Sequence, residues 1–257
     1  MEALQTAAYG EQLTGTVTGR TVVVTGGTTG IGRATAILLA LQGADVLIAG
    51  QDPQHLTDTL NSADQEQLKG NLTGIITDLS TEEGINKLFN EADNHFKKLD
   101  VLVNCAALAY QGIAEGSYAD WQKVVNTNLL AYLACTRQAI DRMRPNKEGH
   151  IINIGSMSAD VREKNSSVYV ATKAAIQGFS ESVRKEINEM GIKVTLIEPG
   201  AVGTDMQPVS VPDQQQKEED LEMLKAEDVA AAVLYTIMQP KRCDVVDIKI
   251  RPHLQII

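Results

Sequence analysis

Short apolar runs alternate with longer segments of helical periodicity along most of the chain. The runs are TVVVT (21–25), DVLIA (45–49), GIITD (74–78), DVLVN (100–104), HIINIG (150–155), KVTLIEP (193–199) and DVVDIKI (244–250). Most of them are apolar at consecutive positions, which predicts strands that are covered on both faces. Because helical segments separate the strands, the pattern predicts an α/β fold: a single doubly wound domain with a mainly parallel seven-stranded sheet flanked by helices.

The segments between the strands predict helices and one long polar loop. Helical patterns cover 31–42, 53–67, a segment ending near 96, 120–143, a segment around Tyr169 ending near 190, and 227–238. Residues 1–17 precede the first strand and are interpreted as an N-terminal arm, which leaves 18–257 as the domain. The polar, acidic stretch 206–222 is interpreted as a lid, with a solvated linker as the alternative.

Charge and composition narrow the classes of function. The formal net charge of -10 argues against binding to nucleic acid or to an anionic membrane. No apolar run approaches the roughly 20 residues of a spanning helix, and the first residues lack the pattern of a secretory signal. The three cysteines are scattered and the four histidines are isolated, so we expect reduced thiols, a cytoplasmic location and no metal site.

The first predicted strand runs directly into TGGTTGIG (25–32), where Gly26, Gly30 and Gly32 open a helix. Glycines allow a tight turn and a close approach to a pyrophosphate, and the helix N-terminus supplies free N–H groups. Such a turn alone could also be a simple strand-to-helix connection. Its place after the first strand favours dinucleotide binding beyond the carboxyl ends of the strands.

Tyr169 and Lys173 lie four positions apart in the helical stretch SSVYVATKAA, so they project from one face of the helix. They could simply be an exposed pair. Transfer of a hydride to a carbonyl builds negative charge on its oxygen, which needs a proton donor. An ammonium about 4–5 Å away is expected to lower a tyrosine pKa by roughly two to three units. Ser156, at the end of the fifth predicted strand, could meet the same oxygen.

Seven motifs occur in one order along the chain. They are TGGTTGIG, Asp78 after the third strand, NCAA (104–107), NTNLL (126–130), INIGS (152–156), Tyr169-x-x-x-Lys173 and EPGAVGT (198–204). The ordered set resembles the short-chain dehydrogenases/reductases, in their single-domain branch, over about residues 18–250. The resemblance implies a Rossmann-type domain that binds NAD(P) and oxidises or reduces a small-molecule alcohol or carbonyl, with 206–222 as a substrate-covering loop.

The resemblance also implies a role for each matching residue. Tyr169 would be the general acid/base, Ser156 would bind the substrate oxygen, Lys173 would bind the nicotinamide ribose and lower the tyrosine pKa, and Asn128 would hold a proton-relay water. The implied cofactor-binding residues are Gly26, Thr28, Thr29, Gly30, Ile31, Gly32, Gln51, Asp78, Leu79, Asn104, Ala106, Tyr169, Lys173, Pro199, Gly200, Val202 and Thr204. Cys105 and Ala107 depart from the usual N-N-A-G pattern, and we interpret Cys105 as a small buried residue.

The end of the second strand bears on the choice of nicotinamide. Gly50 stands where an acid would bind the ribose hydroxyls of NAD, and Gln51 stands where an arginine would bind the extra phosphate of NADP. The missing acid leaves room for a phosphate, whereas Asp52 opposes one. The C-terminal VVDIKIRPHLQII resembles a carbonyl-reductase-like subgroup that tends to use NADP. We therefore expect NADP(H) to be favoured over NAD(H).

Two other classes of protein remain open. One is a non-catalytic dinucleotide-binding redox sensor or scaffold, against which the four reacting groups argue. The other is an epimerase or dehydratase that uses the same Tyr/Lys pair, against which the chain length and glycine spacing argue. Substrate identity does not follow, although Arg162 and Lys164 could offer positive charge near the site. The resemblance implies a homo-oligomer, either a tetramer or a dimer.

Overall fold

A parallel sheet of seven strands forms the centre of the protein. The computed structural model describes residues 16–110 and 112–255. The strands are β1 (Thr21–Thr25), β2 (Asp45–Gly50), β3 (Asn71–Ile76), β4 (Val101–Asn104), β5 (Gly149–Ile154), β6 (Ile192–Pro199) and β7 (Asp247–Ile250). Their order across the sheet is β3-β2-β1-β4-β5-β6-β7, and every pairing between these strands is parallel. The predicted doubly wound α/β fold is confirmed.

Helices fill the connections between strands. They are α1 (Gly30–Leu41), α2 (Pro53–Asp64), α3 (Glu82–His95), α4 (Tyr118–Val125), α5 (Ala131–Met143), α6 (Ser158–Val161), α7 (Ser167–Ile187), α8 (Val211–Glu219) and α9 (Ala226–Ile237). A π-helix, Asn126–Leu130, joins α4 to α5. Within residues 16–110 and 112–255, no helix is long and apolar enough to cross a lipid bilayer.

Side chains of the strands alternate between two hydrophobic cores. Val23 and Leu47 point to the face covered by α3, α5 and α7. Val22 and Val24 point to the opposite face, which α1 and α9 cover. This alternation explains why the strands are apolar at consecutive positions, since successive side chains of a strand point to opposite faces.

The strand order reverses next to β1. From β1 the chain runs outward through β2 to β3, then returns to place β4 on the other side of β1. In sheets of this kind, the connections that leave the two sides separate and open a crevice at the carboxyl ends of the strands. The glycine-rich turn after β1 therefore lies at the edge of that crevice.

Several boundaries differ from the sequence-based prediction. β3 begins at Asn71 rather than near 74 and lies at the edge of the sheet. Its first three residues mix polar and apolar side chains, so the apolar pattern did not mark them. The predicted loop 206–222 contains α8, which begins after Ser210, whose Oγ accepts a hydrogen bond from the backbone N–H of Asp213. This helix has little apolar periodicity, so the hydrophobic pattern did not indicate it.

The predicted N-terminal arm falls largely on residues 1–15, which lie outside the described residues. Val17 is buried in the core beneath α1 and α9, and its carbonyl accepts a hydrogen bond from the N–H of Arg20. The folded domain therefore includes Val17, at the end of the segment that was assigned to the arm.

The glycine-rich turn needs its glycines for two separate reasons. Gly26 has a φ of +63°, and a Cβ there would lie 2.7 Å from the Cα of Ala106. At Gly32, in the first turn of α1, a Cβ would lie 2.1 Å from the carbonyl oxygen of Gly26. The absence of these side chains lets α1 start directly against the turn.

We expect Gly26→Ala to lower the free energy of unfolding by about 2 kcal/mol or more, because left-handed backbone alone costs an L-residue about 1–2 kcal/mol. Gly178→Ala in α7 is the matched control. A Cβ there meets nothing within 4 Å, so better helix propensity should raise the unfolding free energy by about 0.5–1 kcal/mol. Urea denaturation followed by circular dichroism compares the two variants. Equal effects would contradict the constraint at Gly26.

Candidate active site

A long cavity follows the carboxyl edge of the sheet at the point where the strand order reverses. Its volume is about 360 Å³. It runs from the glycine-rich turn and the end of β2, past the segment after β4, to the segments that follow β5 and β6. Every one of these segments is a strand-to-helix connection, so the topology itself brings them to one edge.

Most of the residues predicted to bind a cofactor line this cavity. They are Gly26, Thr28, Thr29, Gly30, Ile31, Gly32, Gln51, Leu79, Ala106, Tyr169, Lys173, Pro199, Gly200, Val202 and Thr204. Their contacts with a cofactor stay a prediction, but the structure brings them to one continuous surface.

The end of the cavity at α1 fits a dinucleotide phosphate. The N-cap residue Thr29 makes no side-chain hydrogen bond to the helix, and the first turn contains no acidic residue. The first N–H groups of α1 are therefore available to an anion, and no carboxylate of that turn competes for them. A Cβ at Gly30 would approach Thr204 to 3.0 Å and narrow the cavity between the start of α1 and the segment after β6.

Lys173 is buried beside Tyr169 on α7. Its Nζ donates a hydrogen bond of 2.8 Å to the carbonyl oxygen of Ile154, and Nζ lies 5.7 Å from the centroid of the Tyr169 ring. Tyr132 closes the other side, because its ring centroid is 5.6 Å from Nζ and its hydroxyl donates to the same carbonyl at 3.1 Å. The lysine is 2 % exposed, so its position beside the tyrosine is fixed by packing.

Burial dominates the ionisation of both groups. Removal of the phenol from water raises the pKa of Tyr169 to about 12, although the Ser156 hydroxyl lowers it. Burial also lowers the pKa of Lys173 to about 8, against the effect of Glu198. Desolvation of the phenol therefore dominates the pKa of Tyr169 and holds it above the ordinary value. The lowering of this pKa by Lys173 stays a prediction. Tyr169 is a neutral phenol at neutral pH and can donate its proton.

Ser156 lies just beyond β5, where two cavities meet. The backbone N–H of Ser158 donates to Ser156 Oγ at 3.1 Å, which leaves the hydroxyl proton of Ser156 free to act as a donor. Both Ser156 and Tyr169 line the long cavity and also a second cavity beside it. Two neutral O–H donors therefore flank the passage between the cavities.

Asn128 is buried in the π-helix, and it lines neither cavity. Its Oδ1 accepts from the N–H of Leu108 at 2.7 Å, and its Nδ2 donates to the carbonyl of Leu108 at 2.9 Å. Nδ2 also lies 3.3 Å from Thr172 Oγ1 on α7. The side chain thus ties the segment after β4 to the helix that carries Tyr169. A role in holding a proton-relay water stays a prediction.

Two residues that were predicted to contact a cofactor are not part of the lining of the long cavity. Asn104 is fully buried, and its Nδ2 donates to Asn153 Oδ1 at 2.9 Å, so it connects β4 to β5. Asp78 accepts a hydrogen bond of 2.7 Å from Gln51 Nε2. Neither Asn104 nor Asp78 lines the cavity, whereas Gln51 does. Asn104 therefore braces the sheet and Asp78 orients Gln51. Their contacts with a cofactor stay a prediction.

The second cavity has a volume of about 340 Å³ and lies on the far side of Ser156 and Tyr169. Met206 and Gln207, at the start of the stretch 206–222, line both cavities. Gln214 on α8 donates to the carbonyl oxygens of Thr204 and Val209, which ties this helix to the residues that precede it. The expected role of this stretch in covering a substrate stays a prediction.

The sequence patterns missed several residues of these cavities. Thr127 lines the long cavity, and its buried Oγ1 has no hydrogen-bond partner, yet the only signal for it was its place within NTNLL. Gln255 lines the second cavity, and its Oε1 accepts from the N–H of Ala201 at 3.1 Å. No motif marks Gln255, because only the folding of the C-terminal segment back over the sheet edge places it there.

The fold and the cavity first define a class: a parallel α/β protein with a dinucleotide crevice and a Tyr–Lys pair opposite a serine. A family model described as short chain dehydrogenase matches residues 20–215. An uncharacterised oxidoreductase of Staphylococcus aureus (strain USA300) is 33% identical over 237 residues, which covers 92% of this chain and 98% of that protein. One from Staphylococcus epidermidis is 31% identical over 234 residues, with 91% and 97% covered.

Solved structures are similar over almost the whole chain. A dehydrogenase/reductase from Sinorhizobium meliloti 1021 superposes with a TM-score of 0.81 at 27% identity, covering 95% of this chain and 98% of that one. A metagenomic short-chain oxidoreductase in complex with NADP has a TM-score of 0.79 at 25% identity, with 93% and 99% covered. The chain belongs to the short-chain dehydrogenases, and it is an NAD(P)-dependent oxidoreductase of that family.

Proposed function

We propose that this protein interconverts a ketone or aldehyde with an alcohol. The observation that carries the proposal is the convergence of Ser156, Tyr169 and Lys173 at the junction of the two cavities. A dinucleotide in the long cavity and a substrate in the second one would meet at the two hydroxyl groups. The reacting carbonyl oxygen would lie between Ser156 and Tyr169.

In the direction of reduction, the bound nicotinamide supplies the hydride that forms the new C–H bond. The electron pair of the C=O π bond moves to oxygen, and the Tyr169 hydroxyl donates its proton to that oxygen. Ser156 donates a hydrogen bond to the same oxygen and stabilises the developing charge. The Lys173 ammonium compensates the tyrosinate that remains, and Asn128 contributes to the path that returns a proton. Oxidation uses the same groups in reverse.

We propose NADP(H) as the favoured cofactor. A Cβ at Gly50 would lie 2.4 Å from Thr28 Oγ1, so the strand end has no space for the acid that would favour NAD. Asp52, which was expected to oppose a phosphate, uses Oδ1 to accept from the N–H groups of Gln54 and His55 at 2.7 and 3.0 Å. His55 also lines the cavity, so an imidazole ring that can donate a hydrogen bond lies at this end.

We also propose a cytoplasmic homo-oligomer, a tetramer or dimer. All three cysteines are free, which fits a reducing compartment. Apolar side chains are exposed on the π-helix and on the two helices beside it, including Val125 at 40%, Leu130 at 51% and Leu133 at 36%. Exposed apolar groups of this kind are typical of a surface that is covered by another subunit.

We expect Tyr169→Phe to reduce turnover by about 10²–10⁴-fold, because it removes the proton donor but keeps the ring. Affinity for NADPH, measured by fluorescence titration, should change by no more than about threefold. The assay is a panel of carbonyls and alcohols with NADPH, NADH and their oxidised forms. Tyr118→Phe is the matched control, since that residue is 75% exposed. Unchanged turnover in Tyr169→Phe would remove the tyrosine from the mechanism, whereas NADPH binding without turnover of any panel compound by the unaltered protein would favour a non-catalytic protein.

The pH dependence of reduction should follow Lys173. Its pKa of about 8 means that the ammonium is lost as the pH rises through that value, whereas Tyr169, with a pKa of about 12, keeps its proton. We therefore expect kcat/KM for reduction to be level below about pH 7 and to fall above about pH 8. Lys173→Arg should move this basic limb upward, because a guanidinium stays charged. If the fall in kcat/KM occurs at the same pH in the arginine variant, it comes from the titration of a group other than Lys173.

We expect the protein to bind NADPH about fivefold or more tightly than NADH in parallel fluorescence titrations. Asp52→Asn should widen the ratio further, because it keeps an oxygen for the helix cap while it removes a negative charge near the ribose end. Asp58→Asn is the control on the same helix, at a position that does not line the cavity. Tighter binding of NADH would overturn the proposed preference.

A further inference from the structure

The second cavity carries one full charge on its wall. Among the described residues that line it, Glu163 is the single Asp, Glu, Lys or Arg. The remaining lining side chains are apolar or neutral polar groups, including Tyr110, Met157, Ser158, Gln207 and Gln255. A substrate in this cavity would therefore meet a carboxylate and no cation on the side away from the cofactor.

The Glu163 carboxylate is held in place by hydrogen bonds that lead back to the reacting groups. Ser158 Oγ donates to Glu163 Oε1 at 3.1 Å, and the N–H of Ser158 donates to Ser156 Oγ. Glu163 also lies near enough to the phenol of Tyr169 for its negative charge to raise the pKa of that group. The carboxylate is thus tied to the same short segment that presents the serine.

The basic neighbours of Glu163 do not reach the cavity. Arg162 has a left-handed backbone with a φ of 57°, and its Nε donates to the carbonyl oxygen of Ala159. Neither Arg162 nor Lys164 lines either cavity. The sequence suggested that these two residues could supply positive charge, but the loop between α6 and α7 directs only the acidic side chain into the wall.

The charged residues of the long cavity do not make the place where the two cavities meet positive. Asp205 lines that cavity beside Met206 and Gln207, the two residues shared by both cavities. Lys173 is the cation at the reacting centre, but it is 2 % exposed, donates to Ile154, and does not line the second cavity. The space beyond the reacting centre is therefore bordered by negative charge.

We propose that Glu163 selects carbonyl substrates that carry a positively charged group on the side away from the cofactor. This inference rests on the proposed function and specifies its substrate class. An anionic substrate, such as a keto acid, would place its carboxylate against Glu163 without a compensating cation. Because Glu163 is exposed to water, the discrimination is a matter of several-fold rather than of many orders of magnitude.

The test uses matched methyl ketones that differ only in a terminal group. Trimethylammonium and tert-butyl groups are nearly isosteric and differ by one charge, and a carboxylate provides the opposite charge. We expect kcat/KM for the trimethylammonium ketone to exceed that for the tert-butyl ketone by about three- to tenfold in the best-fitting chain length. Glu163→Gln should bring this ratio close to one and should improve the carboxylate ketone. Raising salt from about 0.05 to about 0.5 M should reduce the ratio in the unaltered protein.

Glu186→Gln is the matched control. Glu186 is an exposed glutamate whose Oε1 accepts a hydrogen bond from Ser182 Oγ at 3.3 Å. Its substitution removes the same charge as Glu163→Gln, but at a position far along α7 from the cavities. It should leave the ratio unchanged. Equal ratios in the unaltered protein and Glu163→Gln, or equal changes in both glutamate variants, would overturn the proposal.

A binding measurement separates this proposal from the proposed function. Calorimetric titration of cofactor-loaded Tyr169→Phe protein with the same ketones reports affinity without turnover. Tighter binding of the cationic ketone, lost on adding Glu163→Gln, supports the proposal. Ketones that bind and turn over without charge preference contradict the role of Glu163 but leave the proposed function standing. If no ketone binds and none is reduced, both the proposed function and the selectivity are wrong.

Discussion

The hydrogen bond from the Lys173 ammonium to the carbonyl of Ile154 is the contact on which the rest of the site depends. Ile154 is fixed because it pairs with Ile197 at the end of β5, so the lysine is anchored to the sheet rather than to a loop. An ammonium has three donors, and within the described residues Ile154 is its one acceptor, while Lys173 also lines the long cavity. The remaining donors therefore suit the ribose oxygens of a bound nucleotide, and the same anchoring holds Tyr169 one helical turn away beside Ser156.

Burial moves the pKa values of this pair apart, and that determines how the pair can work. The phenol of Tyr169 is harder to ionise and Lys173 loses its proton more readily, with pKa values of about 12 and 8. Each shift disfavours a charge in a site with little water. The resting protein therefore holds a neutral proton donor beside an ammonium, which suits protonation of a carbonyl oxygen. In the proposed mechanism, compensation of the tyrosinate matters when the proton has left, so the lysine would act on the reaction more than on the resting state.

The elements that depend on local rules could be predicted from the sequence, and the interactions that depend on distant segments could not. The strands followed from consecutive apolar residues, and the glycine-rich turn followed from the needs of Gly26 and Gly32 at a tight strand-to-helix connection. The spacing of Tyr169 and Lys173 was enough to place them on one face of α7. Asn104 was misjudged because its position at the end of β4 does not reveal that its amide points into the sheet layer, toward Asn153.

The second cavity shows most clearly that contacts between distant segments could not be predicted. Its walls come from the segment after β4, the connection from β5 to α7, the segment after β6 and the C-terminal segment. In the sequence, Glu163 stands between Arg162 and Lys164, and the local charge is positive. The backbone is left-handed at Arg162 and at Asn165, with φ values of 57° and 66°, and of residues 162–164 Glu163 alone lines the cavity. Local charge along the sequence therefore differs in sign from the charge on the cavity wall. The polarity that a substrate meets is set by backbone conformation as much as by composition.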